Sequence, residues 1–343
     1  MKKPKWQKKF RNLPEIPTAK HWIKDEANTL EQQITLKLIT GQQITEEETN
    51  IVEQLIFFYG SLYNELAIVD FENFTEKDFE NFKNYIFYAF NYLILLSNKV
   101  VISQVFRVVV NRDKKSITKK SLLSYPPLHV VKKLNKYNRV NTPNTNVFYC
   151  SETINTALNE IKPKVGDIVT VSIWEPIDKN RTFNSYPISH GANAYGVNPH
   201  ATNAMNAVNE FKKKTNKLFS RFIDPYFHLL GREFEKPINH HYEYLLSAMF
   251  SEKIFENNKR ADTGFDFECI TYPSVGNKFT TSNIAFRKDI IRHHFKLAKV
   301  VEFEVASEHY DRAQSLDPFT INLVAIKNIR EAKSIIDNEI IWE

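Results

Sequence analysis

The stretch Asn138–Ile161, NRVNTPNTNVFYCSETINTALNEI, constrains the fold more than any other part of the chain. A polar loop, Asn138–Asn146, leads into the short apolar run Val147-Phe148-Tyr149-Cys150, which has the length and boundaries of a buried strand. Ser151 then has the character of an N-cap, and Ile154, Ala157, Leu158 and Ile161 recur at helical spacing. The chain must therefore turn from strand to helix within a few residues. The loop carries Arg139, the strand Tyr149, and the helix Glu160, which falls beside the apolar stripe rather than opposite it. Taken singly, these would be a loop ion pair, a core tyrosine and an exposed glutamate. Together they suit a dianionic, ribose-bearing ligand: guanidinium for phosphate, ring face for a flat base, carboxylate for sugar hydroxyls.

The flanking sequence divides in two. Residues 1–98 read as a basic arm, MKKPKWQKKFR onward, followed by helices. Thr45-Glu46-Glu47-Glu48 predicts a capping box before an amphipathic run, and Thr75-Glu76-Lys77-Asp78 predicts a second helix start. The run Tyr85–Leu96 is too short to cross a bilayer and reads as a buried helix. At Val100 the period changes to that of strands. Strand character returns at Ile168–Trp174, Phe265–Tyr272, Ala298–Val305 and Phe319–Ile326. Helices are predicted over Ala201–Phe219, where Pro225 then breaks the pattern, and over His240–Asn257. The Asn-, Ser-, Gly- and His-rich stretch Asp178–His200 reads as a long loop, a flexible lid at a cleft mouth. Strands scattered among helices without βαβ alternation predict the α+β class.

Composition narrows the function. Hydrophobic residues make up 42% of the 343, enough for a substantial core. The net charge of +6 is mild over this length, and no aromatic–basic module accompanies it, which argues against nucleic acid as partner. Cys150 and Cys269 both lie in strand-like runs, so a reducing cytoplasm is expected and a disulfide is not. The N-terminal charge is not followed by an apolar core, so neither signal peptide nor membrane span is predicted. His240-His241 and His293-His294 lack metal-ligand spacing, and no metal site is expected. Eight glycines form no phosphate-binding loop.

Further residues extend the central unit into a recognisable order. Arg139-Val140-Asn141 precedes a strand ending in Phe148-Tyr149, and Thr156-Ala157-Leu158-Asn159-Glu160 follows on a helix. Tyr272-Pro273-Ser274 and Asn283-Ile284-Ala285-Phe286 come much later, and Arg107 sits earlier in Val105–Val109. This order resembles the RES domain family, named for its arginine, glutamate and serine. The resemblance covers about residues 99–343, with a long insertion around 178–235. Cys269 stands where the family usually has glycine.

The resemblance implies an ADP-ribosyltransferase-like domain: a split, bent mixed sheet enclosing an NAD cleft, preceded here by a helical region. It implies a bacterial toxin that destroys NAD+ by cleaving the nicotinamide–ribose bond, with water or phosphate as acceptor and no metal. An antitoxin protein is the implied partner. Arg139, Glu160 and Ser274 would be catalytic. Arg107, Tyr149 and Asn283 would bind substrate. The alternatives are transfer of ADP-ribose to a macromolecule and a non-catalytic protein that senses a nucleotide or binds a partner.

Overall fold

The structure, a computed structural model, describes residues 33–67, 94–188, 196–257, 266–310 and 323–342, with scattered positions between 69 and 86. The basic arm, most of the second N-terminal helix, residues 87–93 of the run Tyr85–Leu96, the tip of the 178–200 stretch and residues 319–322 lie outside the described residues; Ile94, Leu95 and Leu96, at the end of that run, are not helical.

The N-terminal part begins with helix α1 at residues 33–39. Helix α2, Glu46–Ala67, opens on the predicted capping box: Thr45 N donates to Glu48 Oε2 at 2.8 Å, and Glu48 N donates to Thr45 Oγ1 at 3.2 Å. Thr75 and Asp78 make the same reciprocal pair. Strands begin with β1, Asn98–Val101, and β2, Val105–Val110. Helix α3 is Leu128–Leu134, strand β3 Val147–Ser151, helix α4 Ile154–Ile161 and strand β4 Ile168–Pro176. Strand β5 is Thr182–Pro187, and helices α5, α6 and α7 are Pro199–Lys214, Lys217–Glu235 and Leu245–Asn257. Strands β6 (Cys269–Pro273) and β7 (Ser282–Arg287) lead to helix α8 (Lys288–His294), then β8 (Phe295–Glu308) and β9 (Val324–Glu331). A small hairpin, β10 (Ser334–Ile336) with β11 (Glu339–Ile341), ends the chain.

The class is α+β. Nine strands form one mixed sheet in the order β1-β5-β6-β7-β3-β2-β4-β8-β9, antiparallel throughout except for β5 beside β6. Its two halves meet at one bridged pair, Phe106 with Ser151, whereas β2 pairs β4 from Val105 to Val110. Alternation along the strands separates two faces. Ile270, Tyr272 and Ala285 join a core built from α1, α2, α6 and α7. Phe148, Cys150, Ile284 and Phe286 join Phe295 and Val300 on the other side. The N-terminal helices therefore share one core with the sheet. Tyr59 and Tyr63 of α2 meet Phe222 and Tyr226 of α6 ring to ring.

Three local expectations change. Ser151 is not the N-cap: it stays extended opposite Asn283, and Thr153 caps α4 by accepting from Thr156 N at 3.1 Å. The 178–200 stretch is not one loop, because β5 occupies its middle with Phe183, Ser185 and Tyr186 buried and the Ser185 hydroxyl 2.9 Å from that of Thr271. Phe183 and Tyr186 each bury on a different face of the sheet, so no period-2 apolar pattern marks this strand in the sequence. Pro225 does not break α6. The carbonyl it leaves without a helical donor belongs to exposed Arg221, while Phe222, Ile223, Tyr226 and Phe227 hold the helix to the core. Among the described residues no helix is long and apolar enough to cross a membrane.

Burial holds the phenols of Tyr63, Tyr149, Tyr186, Tyr226 and Tyr272 above their ordinary range. In the unfolded chain they ionise near pH 10. The folded state thus retains protons that the unfolded state releases, so their stabilising effect is complete below about pH 10 and lost as pH rises beyond it. Denaturant midpoints should fall steeply above that pH, with phenolate absorbance from these residues rising together with unfolding. Phenolate signal that develops in the fully folded protein would contradict this.

Candidate functional site

The site forms where three neighbouring strands end. Asn283, at the start of β7, stands opposite Ser151 of β3 on one side and Tyr272 of β6 on the other. It is buried, and both ends of its amide are engaged: Oδ1 accepts from Ser151 Oγ at 2.7 Å, and Nδ2 donates to Glu160 Oε1 at 2.8 Å.

Glu160 comes from α4, which lies over this strand end for two reasons. Ala157 and Leu158 pack into a core with Val108, Val169 and Val171. Its buried polar residues meet the turn after β6: Thr156 Oγ1 lies 2.5 Å from Thr281 Oγ1, and Asn159 donates to the Gly276 carbonyl. A Cβ on Gly276 would stand 2.8 Å from Asn159 Nδ2, so any larger residue here would displace that side chain. The turn is pinned internally by Ser274 N donating to Thr281 O and Phe279 N to Ser274 O. Ser274 is buried, and its Oγ donates to Glu160 Oε1 at 2.6 Å. One oxygen of Glu160 thus takes two hydrogen bonds. The other, Oε2, takes none from the described residues, and the side chain is partly exposed.

Tyr149 lies on the same strand face as Ser151, its ring centroid 6.3 Å from that of Tyr272. Burial first, then the Glu160 charge, holds the Tyr149 phenol well above its ordinary value, while the Arg139 charge pulls it down. Tyr272 feels the same two charges.

Arg139 already has partners. Its guanidinium donates to the carbonyls of Phe234 (2.6 Å), Lys236 (3.2 Å) and Glu233 (3.4 Å), and lies 5.1 Å from the Tyr244 ring centroid. Those carbonyls are the open C-terminal end of α6, where a cation is favoured. Arg107 does not join the group around Glu160. It leaves β2 with Val105 and Val109 on the face opposite Val108 and α4, and its guanidinium donates to the Tyr149 carbonyl at 2.9 Å beside the Phe148 ring. The structure thus brings Glu160, Ser274 and Asn283 into direct contact, with Tyr149 close enough to feel the Glu160 charge. Arg139 is near enough to act through its charge, and Arg107 supports β3 from behind.

Several contributors carry no sequence signal of their own. Thr156, Asn159, Asn277 and Thr281 look like ordinary turn and helix residues until the turn is folded against α4. Tyr272 is visible only as part of Tyr-Pro-Ser. A second polar knot, His200 Nε2 to Glu152 Oε1 at 2.6 Å with Glu152 Oε2 accepting from Ser282 N at 2.7 Å, joins the start of α5 to the same strand ends. Among the described residues no group of three His, Cys, Asp or Glu side chains could hold a metal ion. Compared with protein-family models and with curated proteins, the chain matches none.

Removing the buried amide tests this architecture. Asn283→Ala leaves the Ser151 hydroxyl without its acceptor and strips one donor from Glu160. A loss of about 1–3 kcal/mol in denaturant unfolding is expected. A variant as stable as the wild type would show that the amide does not organise the strand ends.

Proposed function

We propose that this chain cleaves the nicotinamide–ribose bond of NAD+, passing ADP-ribose to water or phosphate, on an ADP-ribosyltransferase-like fold. The observation that carries the reading is the Glu160 carboxylate: Ser274 and Asn283 fix one oxygen, and the other takes no hydrogen bond from the described residues. The order of motifs along the chain and the near-separation of the sheet at the Phe106–Ser151 bridge support it further.

The reaction separates cationic nicotinamide from ribose, and the ribose carbon passes through an oxocarbenium-like state. A preorganised negative charge beside that ring lowers the barrier, because it need not reorient as positive charge develops. Glu160 supplies the charge through Oε2, which also accepts from a ribose hydroxyl. Ser274 and Asn283 hold the carboxylate in one rotamer. Tyr149 offers a ring face to the nicotinamide. Arg139, with NH1 and NH2 committed to α6, contributes charge toward the phosphates rather than a two-pronged grip. Nicotinamide departs with the bonding electron pair, and the attacking water or phosphate releases its proton to solvent. In a bacterium this chemistry makes the protein a toxin, and an antitoxin protein is its expected partner.

Incubating the purified protein with NAD+ separates the outcomes. Nicotinamide with free ADP-ribose identifies hydrolysis, nicotinamide with ADP-ribose 1″-phosphate identifies phosphorolysis, and a labelled macromolecule identifies transfer. Glu160→Gln keeps size and removes charge, so turnover should fall on the order of 10²–10³-fold. Expressed in bacteria, the wild type should deplete NAD+ and arrest growth, and the variant should do so weakly at equal protein level. Equal NAD+ loss from a folded Glu160→Gln protein would overturn the mechanism.

A further inference from the structure

Glu152 stands in the bend between β3 and α4, and its side chain replaces a main-chain carbonyl. β3 ends with Ser151 opposite Asn283, and a continuing ladder would set Glu152 opposite Ser282, each N–H donating to the other's carbonyl. Half of that pair forms: Glu152 N donates to Ser282 O at 3.3 Å. The return bond goes to the side chain instead, with Ser282 N donating to Glu152 Oε2 at 2.7 Å. The main chain at Glu152 is thereby free to leave the sheet, and the next residue, Thr153, caps α4. Ser282 is fully buried, so its N–H has no water to turn to if the carboxylate is removed.

The second oxygen of Glu152 is held from α5. His200 Nε2 lies 2.6 Å from Oε1 and carries the hydrogen of this bond, because a carboxylate only accepts. The other ring nitrogen, Nδ1, is buried and takes no hydrogen bond from the described residues. The ring is therefore seated at some cost, and what it contributes is the bond to Glu152. Two residues earlier Asn198, fully buried, donates through Nδ2 to the Phe279 carbonyl and to Ser282 Oγ, both at 3.0 Å. Its Oδ1 caps α5 by accepting from His200 N at 3.0 Å. The start of α5 thus grips the return of the turn that carries Ser274, while α5 itself packs on β5 and β6. These contacts join the two parts of the Glu160 group. On one side Glu152 leads into α4, which carries Glu160. On the other it holds Ser282, next to Asn283, whose Nδ2 donates to Glu160 Oε1.

We infer that Glu152, oriented by His200, is a positioning residue of the Glu160 centre: it fixes the helix that carries the carboxylate relative to the strand that supplies its donor. Its effect on catalysis rests on the proposed NAD+ reading, and its effect on geometry does not. The test follows hydrogen exchange of the full chain by NMR, alongside steady-state cleavage of NAD+. Glu152→Ala should speed exchange of the Asn283 side-chain amide by about ten- to a hundredfold, the effect of losing a hydrogen bond to a charged group. Backbone amides in the centre of β4 should keep their wild-type protection, which general destabilisation would not allow. The same variant should lower kcat by about ten- to a hundredfold, more than it raises KM. Glu152→Gln keeps an oxygen for Ser282 N and an amide that pairs with the other tautomer of His200, so it should recover most of both losses. Should Glu152→Ala not fold, His200→Phe removes only the donor to Oε1 and should give the same pattern at about tenfold. Wild-type exchange at Asn283 in Glu152→Ala, an unchanged kcat, or equal losses in Glu152→Gln and Glu152→Ala overturn the assignment and leave the reaction intact. The expected exchange pattern in a protein that does not cleave NAD+ supports the coupling of Glu152 to Glu160 and sinks only the proposed reaction.

Discussion

A buried amide with no access to water must find partners in the protein, and Asn283 finds them on both sides. Its position opposite Ser151 and Tyr272 makes it the point at which β3, β7 and β6 are held in register. Shifting any of the three by one residue would turn a polar side chain toward a dry core and leave this amide unsatisfied. The same bond fixes Glu160. Register and site geometry are therefore one constraint here, and the turn carrying Ser274 is shaped by it too.

The helical side of the molecule is coupled to that point through arginines placed where backbone carbonyls need donors. Arg139 closes the end of α6, and Arg107 bonds the Tyr149 carbonyl from the opposite sheet face. Each joins a segment near the middle of the chain to a distant one. This is a use for which guanidinium, with several donors in a rigid plane, is better suited than an ammonium group. It also shows how two cations are held without an ion pair to the described residues: carbonyl dipoles and aromatic faces take that role.

The strand–helix unit is legible in the sequence because its determinants are local: an apolar run, a polar break and helical spacing over two turns. The serine turn is legible for a related reason, since proline before Ser274 and glycine two residues after it restrict the backbone whatever surrounds them. The partners of Arg139 and Arg107 are not legible, because they are carbonyls whose positions depend on how α6 and β3 pack. Pro225 misleads because local propensity is overridden by the rings on both sides of it. Strand β5 is hidden by its polar composition, yet its buried serine sits in a strand because the Thr271 hydroxyl of the neighbouring strand satisfies it. The shared core across residue 98 is likewise tertiary: helical and strand segments look separable until Tyr63 and Tyr186 are seen in one cluster.

The bond between Ser274 and Glu160 spans 114 residues of sequence. During synthesis, α4 emerges from the ribosome long before β6 and β7, and chains fold as their segments become available. Until then the carboxylate lacks both donors that orient it, and β3 lacks the neighbour that pairs its full length. A nascent or prematurely terminated chain would carry the glutamate without its geometry. Such fragments should lack the arrangement altogether, so that the site exists only in completed molecules.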